Sequence, residues 1–261
     1  MTRKVRFVDQ TGYAFELPSP AQRIVSLVPS QTELLFDLGL KDRLVGRTKF
    51  CVLPESKLDD VARIGGTKNV QIDAVRALKP DLIIANKEEN VKEAIEALRG
   101  EFPVYTSDVC DLTSALEMIS EVSVLTDTSV RGQEMIEQIK SRIVISKKFE
   151  GQRVIYLIWK DPWMTVGGDT FISAILREAG LVNVFEKETR YPSTSLSEIA
   201  DLSPDLLFLS SEPYPFKDKD RKELGTKLLG TMVSNVAGEI FSWYGSRLLH
   251  LPVDWPSILG D

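Results

Sequence analysis

The chain has 261 residues, of which 43% are hydrophobic and 27% are charged, and its formal net charge is −6. This composition is typical of a folded globular protein with room for one large domain or two smaller ones. An acidic chain lacks the basic surface that a phosphate backbone requires, so nucleic acid is excluded as a partner. No apolar run approaches the ~18 residues that a membrane-spanning helix needs.

The rare residue types narrow the chemistry further. A single histidine, His250, excludes clustered-His zinc sites, and its leucine-rich surroundings predict a packed, hydrogen-bonded side chain. Cys51 and Cys110 are too far apart for a CxxC motif. The basic first residues are not followed by an apolar stretch, so no signal peptide is predicted. The chain is therefore either cytoplasmic or the mature form of an exported protein.

Residues 1–111 alternate short apolar runs with amphipathic stretches, which predicts an α/β lobe built on a parallel sheet. A buried strand at 24–28 is followed by a Ser or Thr helix cap within 29–33 and by a helix that Gly39 ends. Further strands are predicted at 44–46, 82–85 and 104–106, and further helices at 72–78 and 91–98.

Residues 112–148 have apolar side chains at helical spacing and no proline, which predicts a bridging backbone helix of roughly 50 Å. Thr126-Asp127-Thr128 offers a cap at which a second helix would begin. The α/β pattern resumes over 149–261, with strands at 154–158 and 206–209 and helices at 171–180 and 199–202. Segments 75–84 and 199–208 each hold a helix end, a Pro-Asp turn and a buried strand, which indicates pseudo-symmetry between two lobes.

Four segments, at 7–12, 23–33, 77–83 and 241–247, resemble the substrate-binding proteins of ABC importers for cobalamin, haem and iron-siderophores. The Ser-Trp-Tyr-Gly-Ser-Arg block at 242–247 is similar to the cobalamin branch. The resemblance implies two α/β lobes joined by a helix, with a corrinoid or another metal chelate held between them. It also implies a monomer without catalytic activity or a required cofactor, which delivers its ligand to a membrane permease. A periplasmic location follows if an export signal was removed.

Aromatic side chains in loops that follow strands are candidate ligand contacts, because the carboxyl ends of parallel strands line the ligand crevice. Rigid rings also suit a large flat ligand. The candidates from the second half of the chain are Trp159, Trp163, Tyr191, Trp243 and Tyr244. The resemblance adds Arg247 and, from the first lobe, Ser30, Gln31, Thr32 and Phe50. We expect Trp243 and Tyr244, with Trp159 or Trp163, to form an aromatic wall opposed by Gln31 and Phe50.

Family members dock onto their permease through one acidic residue on each lobe, near the start of the helix before the Pro-Asp turn. Aligning Pro80 with Pro204 places Asp73 in the first lobe. The aligned residue of the second lobe is Ser197, and Glu198 stands next to it. The resemblance thus implies a docking role for Asp73 and leaves the second contact between Ser197 and Glu198.

Two alternatives stay open at the level of sequence. Haem would need an axial ligand from Tyr191, Tyr244 or His250, and an anionic siderophore would need Arg190 or Arg247. An α/β enzyme is the alternative of a different class, but no GxGxxG, GxxxxGK[ST] or GxSxG motif occurs. The Gly-Gly pair at 167–168 is explained better by an N-cap at Asp169 or Thr170 than by a phosphate site.

Overall fold

A computed structural model describes residues 4–55, 57–143 and 149–251. The chain divides into two compact units, of which the first comprises 1–109, 113–138 and 244–247, and the second 110–112, 139–243 and 248–261. Each unit contains a parallel β-sheet with helices, as the sequence predicts. Residues 113–138 group with the first unit, and so does the short return segment 244–247.

The first unit is built on a five-stranded parallel sheet. Its strands in spatial order are β5 (Ala62–Arg63), β4 (Leu44–Arg47), β3 (Ile24–Ser26), β6 (Leu82–Asn86) and β7 (Val104–Ser107). Its central strands β3 and β6 are entirely buried, which explains why they are nearly continuous apolar runs. The helices between the strands are α1 (Pro29–Asp37), α2 (Ile72–Leu78) and α3 (Lys92–Arg99).

An antiparallel hairpin of β1 (Lys4–Val8) and β2 (Ala14–Pro18) precedes this sheet. The Asp9 carboxylate organises its turn, because Oδ1 accepts the backbone N–H groups of Thr11 and Tyr13 at 2.9 Å. The other oxygen, Oδ2, accepts the Thr106 N–H of edge strand β7 at 3.0 Å and the Arg99 guanidinium at 2.8 Å. One buried carboxylate therefore attaches the hairpin to the sheet.

The stretch after β7 forms two helices, α4 (Leu112–Leu125) and α5 (Ser129–Arg142), rather than one. The break falls at Thr126-Asp127-Thr128, where the sequence offers a cap, and Asp127 has φ +58°. The Thr128 N–H donates to Ser123 O at 2.7 Å, which closes the end of α4. A single unbroken helix over 112–148 is therefore the wrong alternative, and residues 144–148 lie outside the described residues.

The second unit is built on a four-stranded parallel sheet. Its strands in spatial order are β10 (Val182–Asn183), β8 (Arg153–Leu157), β12 (Leu206–Ser210) and β13 (Met232–Val236). Its core packs β8 and β12 against the helix that follows β12, through Ile155, Leu157, Leu207, Leu209 and Leu224. The other elements are β9 (Trp163–Met164), α6 (Phe171–Glu178), β11 (Ser193–Thr194), α7 (Leu196–Leu202), α8 (Asp218–Lys227) and α9 (Gly238–Ser242).

The Pro-Asp turns predicted to correspond have the same construction in both units. Helices α2 and α7 are seven residues long, and each ends on a residue with positive φ, 47° and 45°, before the proline. Asp81 then accepts the N–H of Arg23 at 2.8 Å, and Asp205 accepts the N–H of Arg153 at 2.7 Å. Each aspartate thus connects its helix-to-strand turn to the start of the neighbouring strand.

Most of the predicted helix ends lie where the sequence places them. Gly39 has φ +82° just beyond α1, and the Thr170 hydroxyl accepts an N–H from the first turn of α6, both as predicted. The prediction that a Ser or Thr caps α1 is wrong, because the N-cap is Val28 and the helix begins at Pro29. Thr32 instead lies inside the first turn and donates its hydroxyl to Val28 O at 2.9 Å.

Candidate functional site

Two loops at the carboxyl end of the second sheet carry aromatic side chains. The loop after β8 folds back at 159–164, where the Ile158 N–H donates to Met164 O at 3.0 Å and the Met164 N–H donates to Trp159 O at 3.2 Å. Asp161 occupies the turn with φ +63°. This hairpin places Trp159 and Trp163 on either side of the turn, close to the end of the strand.

The loop after β12 supplies the partners of the two tryptophans. Tyr214 meets Trp159 edge to face, with centroids 5.7 Å apart, and Phe216 stacks against Trp163 at 6.1 Å and 7° between planes. Tyr214 and Phe216 also contact each other at 4.7 Å. We call these four rings the aromatic edge. Phe216 is buried, whereas Trp159 exposes 39% of its surface, so a continuous aromatic cluster ends in an accessible indole.

Tyr214 and Phe216 are functional candidates that the sequence analysis missed. They stand four and six positions after Ser210, the last residue of β12. The rule that selected Trp159 and Trp163, an aromatic residue in a loop after a buried strand, applies equally to them. Their segment, Glu-Pro-Tyr-Pro-Phe at 212–216, carries the turn signals that would have found them.

A buried charge pair lies beneath this cluster. Lys160 Nζ is 2.8 Å from Asp220 Oδ1 and 5.4 Å from the centroid of the Trp163 ring. The hydrogen bond to Asp220 raises the pKa of Lys160. Burial acts to raise the pKa of Asp220, but the bonds from Lys160 and from the Lys217 backbone outweigh it, so this pKa lies below its ordinary value. Both side chains are therefore charged near neutral pH.

The Gly-Gly segment at 167–168 serves close packing of the backbone. The Gly167 N–H donates to Arg190 O at 2.8 Å, and the Gly168 N–H donates to Glu188 O at 2.9 Å. A Cβ atom at either glycine would lie within 2.4 Å of a backbone carbonyl oxygen. Since both N–H groups are used inside the protein, this segment offers no phosphate cradle. Tyr191 lies in the loop between β10 and β11, half-buried, with the Arg190 guanidinium 5.5 Å from its ring centroid.

The first unit presents a smaller apolar surface after β4. Phe50 exposes 51% of its surface and Val52 exposes 57%, so this loop holds two accessible apolar side chains at the carboxyl end of the first sheet. The Lys49 ammonium lies 5.0 Å from the Phe50 centroid. Gly66 lies against the ring, because a Cβ there would be 3.2 Å from Phe50 Cε2. Phe50 is thus an accessible member of the predicted set.

The polar candidates of α1 belong to a buried network. Ser30, Gln31 and Thr32 are each at most 4% exposed. Gln31 Nε2 donates to the hydroxyl of Ser107 at the end of β7, at 2.5 Å, and Asn86 Nδ2 donates to the same hydroxyl at 3.1 Å. These side chains join α1 to the ends of β6 and β7, and their predicted contact with a ligand stays a prediction.

The return segment 244–247 is anchored inside the first unit. Arg247 forms a two-point ion pair with Glu33 of α1, with Nε to Oε2 at 3.0 Å and Nη2 to Oε1 at 2.5 Å. Tyr244 is 6% exposed, and burial raises the pKa of its phenol well above the ordinary value. The structure therefore groups Tyr244 with the first unit, while Trp159 and Trp163 pack with Tyr214 and Phe216. Trp243 is half-buried and follows the last turn of α9.

The remaining candidates are accounted for as follows. His250 is exposed, so the predicted packed histidine is wrong. Cys51 is buried and Cys110 exposed, and neither forms a disulfide. Within residues 4–55, 57–143 and 149–251, no group of three or more His, Cys, Asp or Glu side chains is arranged to hold a metal ion. No helix in that part of the chain is long and apolar enough to cross a membrane.

The acidic docking candidates occupy equivalent positions in the two units. Asp73 lies in the first turn of α2, with its side chain 94% exposed and 2.7 Å from Arg76. Glu198 lies in the first turn of α7, exposed, and accepts the Thr194 hydroxyl at 2.7 Å. Ser197 precedes it and is exposed as well. Each unit therefore presents an accessible carboxylate at the start of its corresponding helix.

Two parallel-sheet units, the second with aromatic side chains at the carboxyl ends of its central strands, form an arrangement suited to binding a ligand. Residues 24–231 match the family described as periplasmic binding protein, and the chain belongs to this family, whose members bind substrates rather than transform them. A vitamin B12-binding protein of Vibrio campbellii is 27% identical over 197 residues, which are 73% of this chain and 71% of that protein.

Solved structures show the same fold. The crystal structure of the periplasmic vitamin B12-binding protein of Vibrio cholerae has a TM-score of 0.72 at 23% identity, and the match covers 89% of this chain and 94% of that one. A periplasmic haem-binding protein of Pseudomonas aeruginosa has a TM-score of 0.75 at 20% identity, covering 88% and 89% of the two chains. The fold is therefore shared by proteins named for different metal-chelate ligands.

Proposed function

We propose that this protein binds a corrinoid of the cobalamin type and delivers it to the membrane permease of an ABC importer, from a location outside the cytoplasmic membrane. The aromatic edge carries the proposal. Four rings, each in contact with the next, lie at the carboxyl ends of β8 and β12 and end in the accessible indole of Trp159. This arrangement suits a large, flat and largely apolar macrocycle. The curated relatives named for vitamin B12 support the same ligand.

Haem is the second candidate, because solved structures of the same fold are named for it. Haem-binding proteins hold the iron through an axial side chain such as Tyr or His. The Tyr244 phenol is buried and its raised pKa opposes the phenolate that would bind iron. Tyr191 is half-buried and His250 exposed, so both stay open as axial ligands. Of the two siderophore candidates, Arg247 is already ion-paired, whereas Arg190 is exposed beside Tyr191. The corrinoid is preferred because the aromatic edge suits it and it needs none of these groups.

Cobalamin titration followed by quenching of tryptophan fluorescence tests the proposal. We expect Trp159→Ala to weaken binding at least about tenfold, because truncating an aromatic anchor at a binding site typically costs ~2 kcal/mol. Leu229→Ala is the matched control. Leu229 is 90% exposed but precedes β13, at the opposite end of the sheet, so we expect its affinity to equal that of the wild type.

Three outcomes would contradict the proposal. Wild-type protein that binds no corrinoid removes the ligand assignment. Equal affinities for wild type and Trp159→Ala remove the aromatic edge as the site. Tighter binding of haemin than of cobalamin, read from the visible absorption spectrum of the complex, would favour the haem candidate.

A further inference from the structure

A lysine that lies between the two tryptophans of the aromatic edge points into the protein. Lys160 stands between Trp159 and the turn at Asp161, and its side chain is only 21% exposed. A lysine at the tip of a surface hairpin ordinarily keeps its ammonium in water. Here Nζ instead reaches Asp220, whose side chain is 2% exposed, and also lies 3.8 Å from Glu223 Oε2.

Asp220 is itself held rigidly, so it is a fixed point for the hairpin. It lies in the first turn of α8, where Oδ2 accepts the backbone N–H of Lys217 and the Asp220 N–H donates to Lys217 O, both at 2.9 Å. Oδ1 is then directed at Lys160. One carboxylate thus joins the start of α8 to the hairpin after β8, and each of its oxygens has a separate partner.

The lysine also contacts the ring that it positions. Nζ lies 5.4 Å from the Trp163 centroid, within the range of a cation–π interaction, and the buried Phe216 stacks against the same indole at 6.1 Å. The backbone adds a third contact, since the Tyr214 N–H donates to Ile158 O at 3.3 Å. The hairpin is therefore fixed from α8 and from the loop after β12 at the same time.

We propose that Lys160 and Asp220 are positioning residues that hold the Trp159–Trp163 hairpin in its ligand-binding conformation. The proposal rests on the function inferred above. Neither side chain has to touch the ligand. Their role is to preorganise the two indoles, so that binding does not have to order the hairpin. Removing the Lys160 ammonium leaves the buried Asp220 carboxylate without its cation, and removing the Asp220 charge leaves Lys160 with the longer, 3.8 Å contact to Glu223. Either change favours a hairpin that swings out into water.

The test combines affinity with a probe of the hairpin that needs no ligand. Protein labelled with 5-fluorotryptophan gives one ¹⁹F resonance for each of the four tryptophans, assigned through single Trp→Phe variants. In Asp220→Asn and Lys160→Met we expect the Trp159 and Trp163 resonances to shift or broaden and the dissociation constant for cobalamin to rise roughly tenfold. Asp218→Asn, an exposed acid on the same helix paired with Arg221, should change neither measurement.

The conservative variant Lys160→Arg keeps the charge and should retain most of the affinity. Unchanged resonances in Asp220→Asn and Lys160→Met would overturn the proposal, as would an affinity that falls equally in Asp218→Asn. A wild-type protein that binds no cobalamin contradicts the proposed function instead, and the ¹⁹F spectra of the free protein then still decide whether the pair holds the hairpin. Should Asp220→Asn not fold, Lys160→Met provides both measurements.

Discussion

Glu121 on α4 is a side chain whose ionisation opposes folding. It is half-buried, and Oε2 accepts the hydroxyl of Tyr105 at 2.7 Å. Burial raises the pKa of Glu121, and the nearby charges of Glu117 and Asp9 add to this effect, although the bond from Tyr105 acts in the opposite direction. At neutral pH the folded protein therefore holds a carboxylate where a neutral group would be more stable.

We expect Glu121→Gln to stabilise the protein at pH 7, because the amide oxygen still accepts the Tyr105 hydroxyl and carries no charge. A raised pKa means that the folded state binds more protons than the unfolded state, so the penalty grows as the pH rises through the folded pKa. It is absent below the unfolded value of about 4.3. Urea midpoints of the two proteins should differ at pH 7 and converge near pH 4.

Glu134→Gln is the control for this effect, because Glu134 is exposed on α5, whereas the charges that raise the pKa of Glu121 are those of Glu117 and Asp9. We expect its urea midpoint to follow the wild type at both pH values. A destabilised Glu121→Gln at pH 7 would show that the charge on Glu121 strengthens its bond with Tyr105 more than burial weakens it.

At the level of single residues, the sequence offered candidates from local evidence alone. Trp159 and Trp163 were selected because each follows a buried strand within a few positions, and the same rule could have selected Tyr214 and Phe216. Tyr244 satisfied the same local rule, yet it packs in the first unit, because its neighbour Arg247 pairs with Glu33, which lies 214 positions earlier in the chain. No pattern within a short window contains a partner at that separation.

The two helices α4 and α5 meet where a glycine removes a side chain. A Cβ atom at Gly132 of α5 would lie 2.5 Å from Cβ and Oγ of Ser123 on α4, closer than packed atoms approach. Gly225 of α8 has no heavy atom within 4 Å of the corresponding position. Gly132 therefore permits the close packing of two helices, whereas Gly225 leaves its position open to solvent.

We expect the same substitution to have opposite effects at these two sites. Gly132→Ala should lower the free energy of unfolding by about 1–3 kcal/mol, because the added methyl forces the helices apart. Gly225→Ala should raise it by about 0.5–1 kcal/mol, because alanine is the better helix former where nothing opposes it. Urea denaturation of both variants measures this directly, and a stabilised Gly132→Ala would show that α5 moves freely against α4.

The elements themselves were largely predictable, and the errors have a common cause. Six sheet strands (β3, β4, β6, β7, β8 and β12) and helix α2 were predicted, because buried apolar runs and Pro-Asp turns are local signals. The edge strands β5, β10 and β13 were not predicted. The cap of α1 was assigned to Ser or Thr by composition, but Pro29 opens this helix at the favoured first position. The four-ring cluster needed β8 and β12 to be neighbours, and strand order is set by tertiary packing rather than by sequence pattern.

At the scale of the whole molecule, the two units carry acidic side chains in matching places. Asp73 and Glu198 lie in the first turns of α2 and α7, two helices of equal length that end in the same Pro-Asp turn. The exposure of Asp73 and Glu198 leaves both carboxylates accessible to a partner. We propose that these two residues contact basic side chains of the permease, one from each unit.

Charge reversal at both positions separates docking from ligand binding. Opposite charges across an interface chiefly set encounter and register, so Asp73→Lys with Glu198→Lys should abolish corrinoid uptake by cells while leaving the affinity of the purified protein unchanged. Glu93→Lys with Glu186→Lys changes the net charge equally at exposed acids elsewhere and should leave uptake intact. Uptake that survives the first pair would contradict the docking role, and uptake lost in both pairs would show that overall charge matters instead. Ser197→Lys alone then tests the neighbouring position. If this variant loses uptake although Glu198 is unchanged, the second contact involves the start of α7 rather than the Glu198 carboxylate alone.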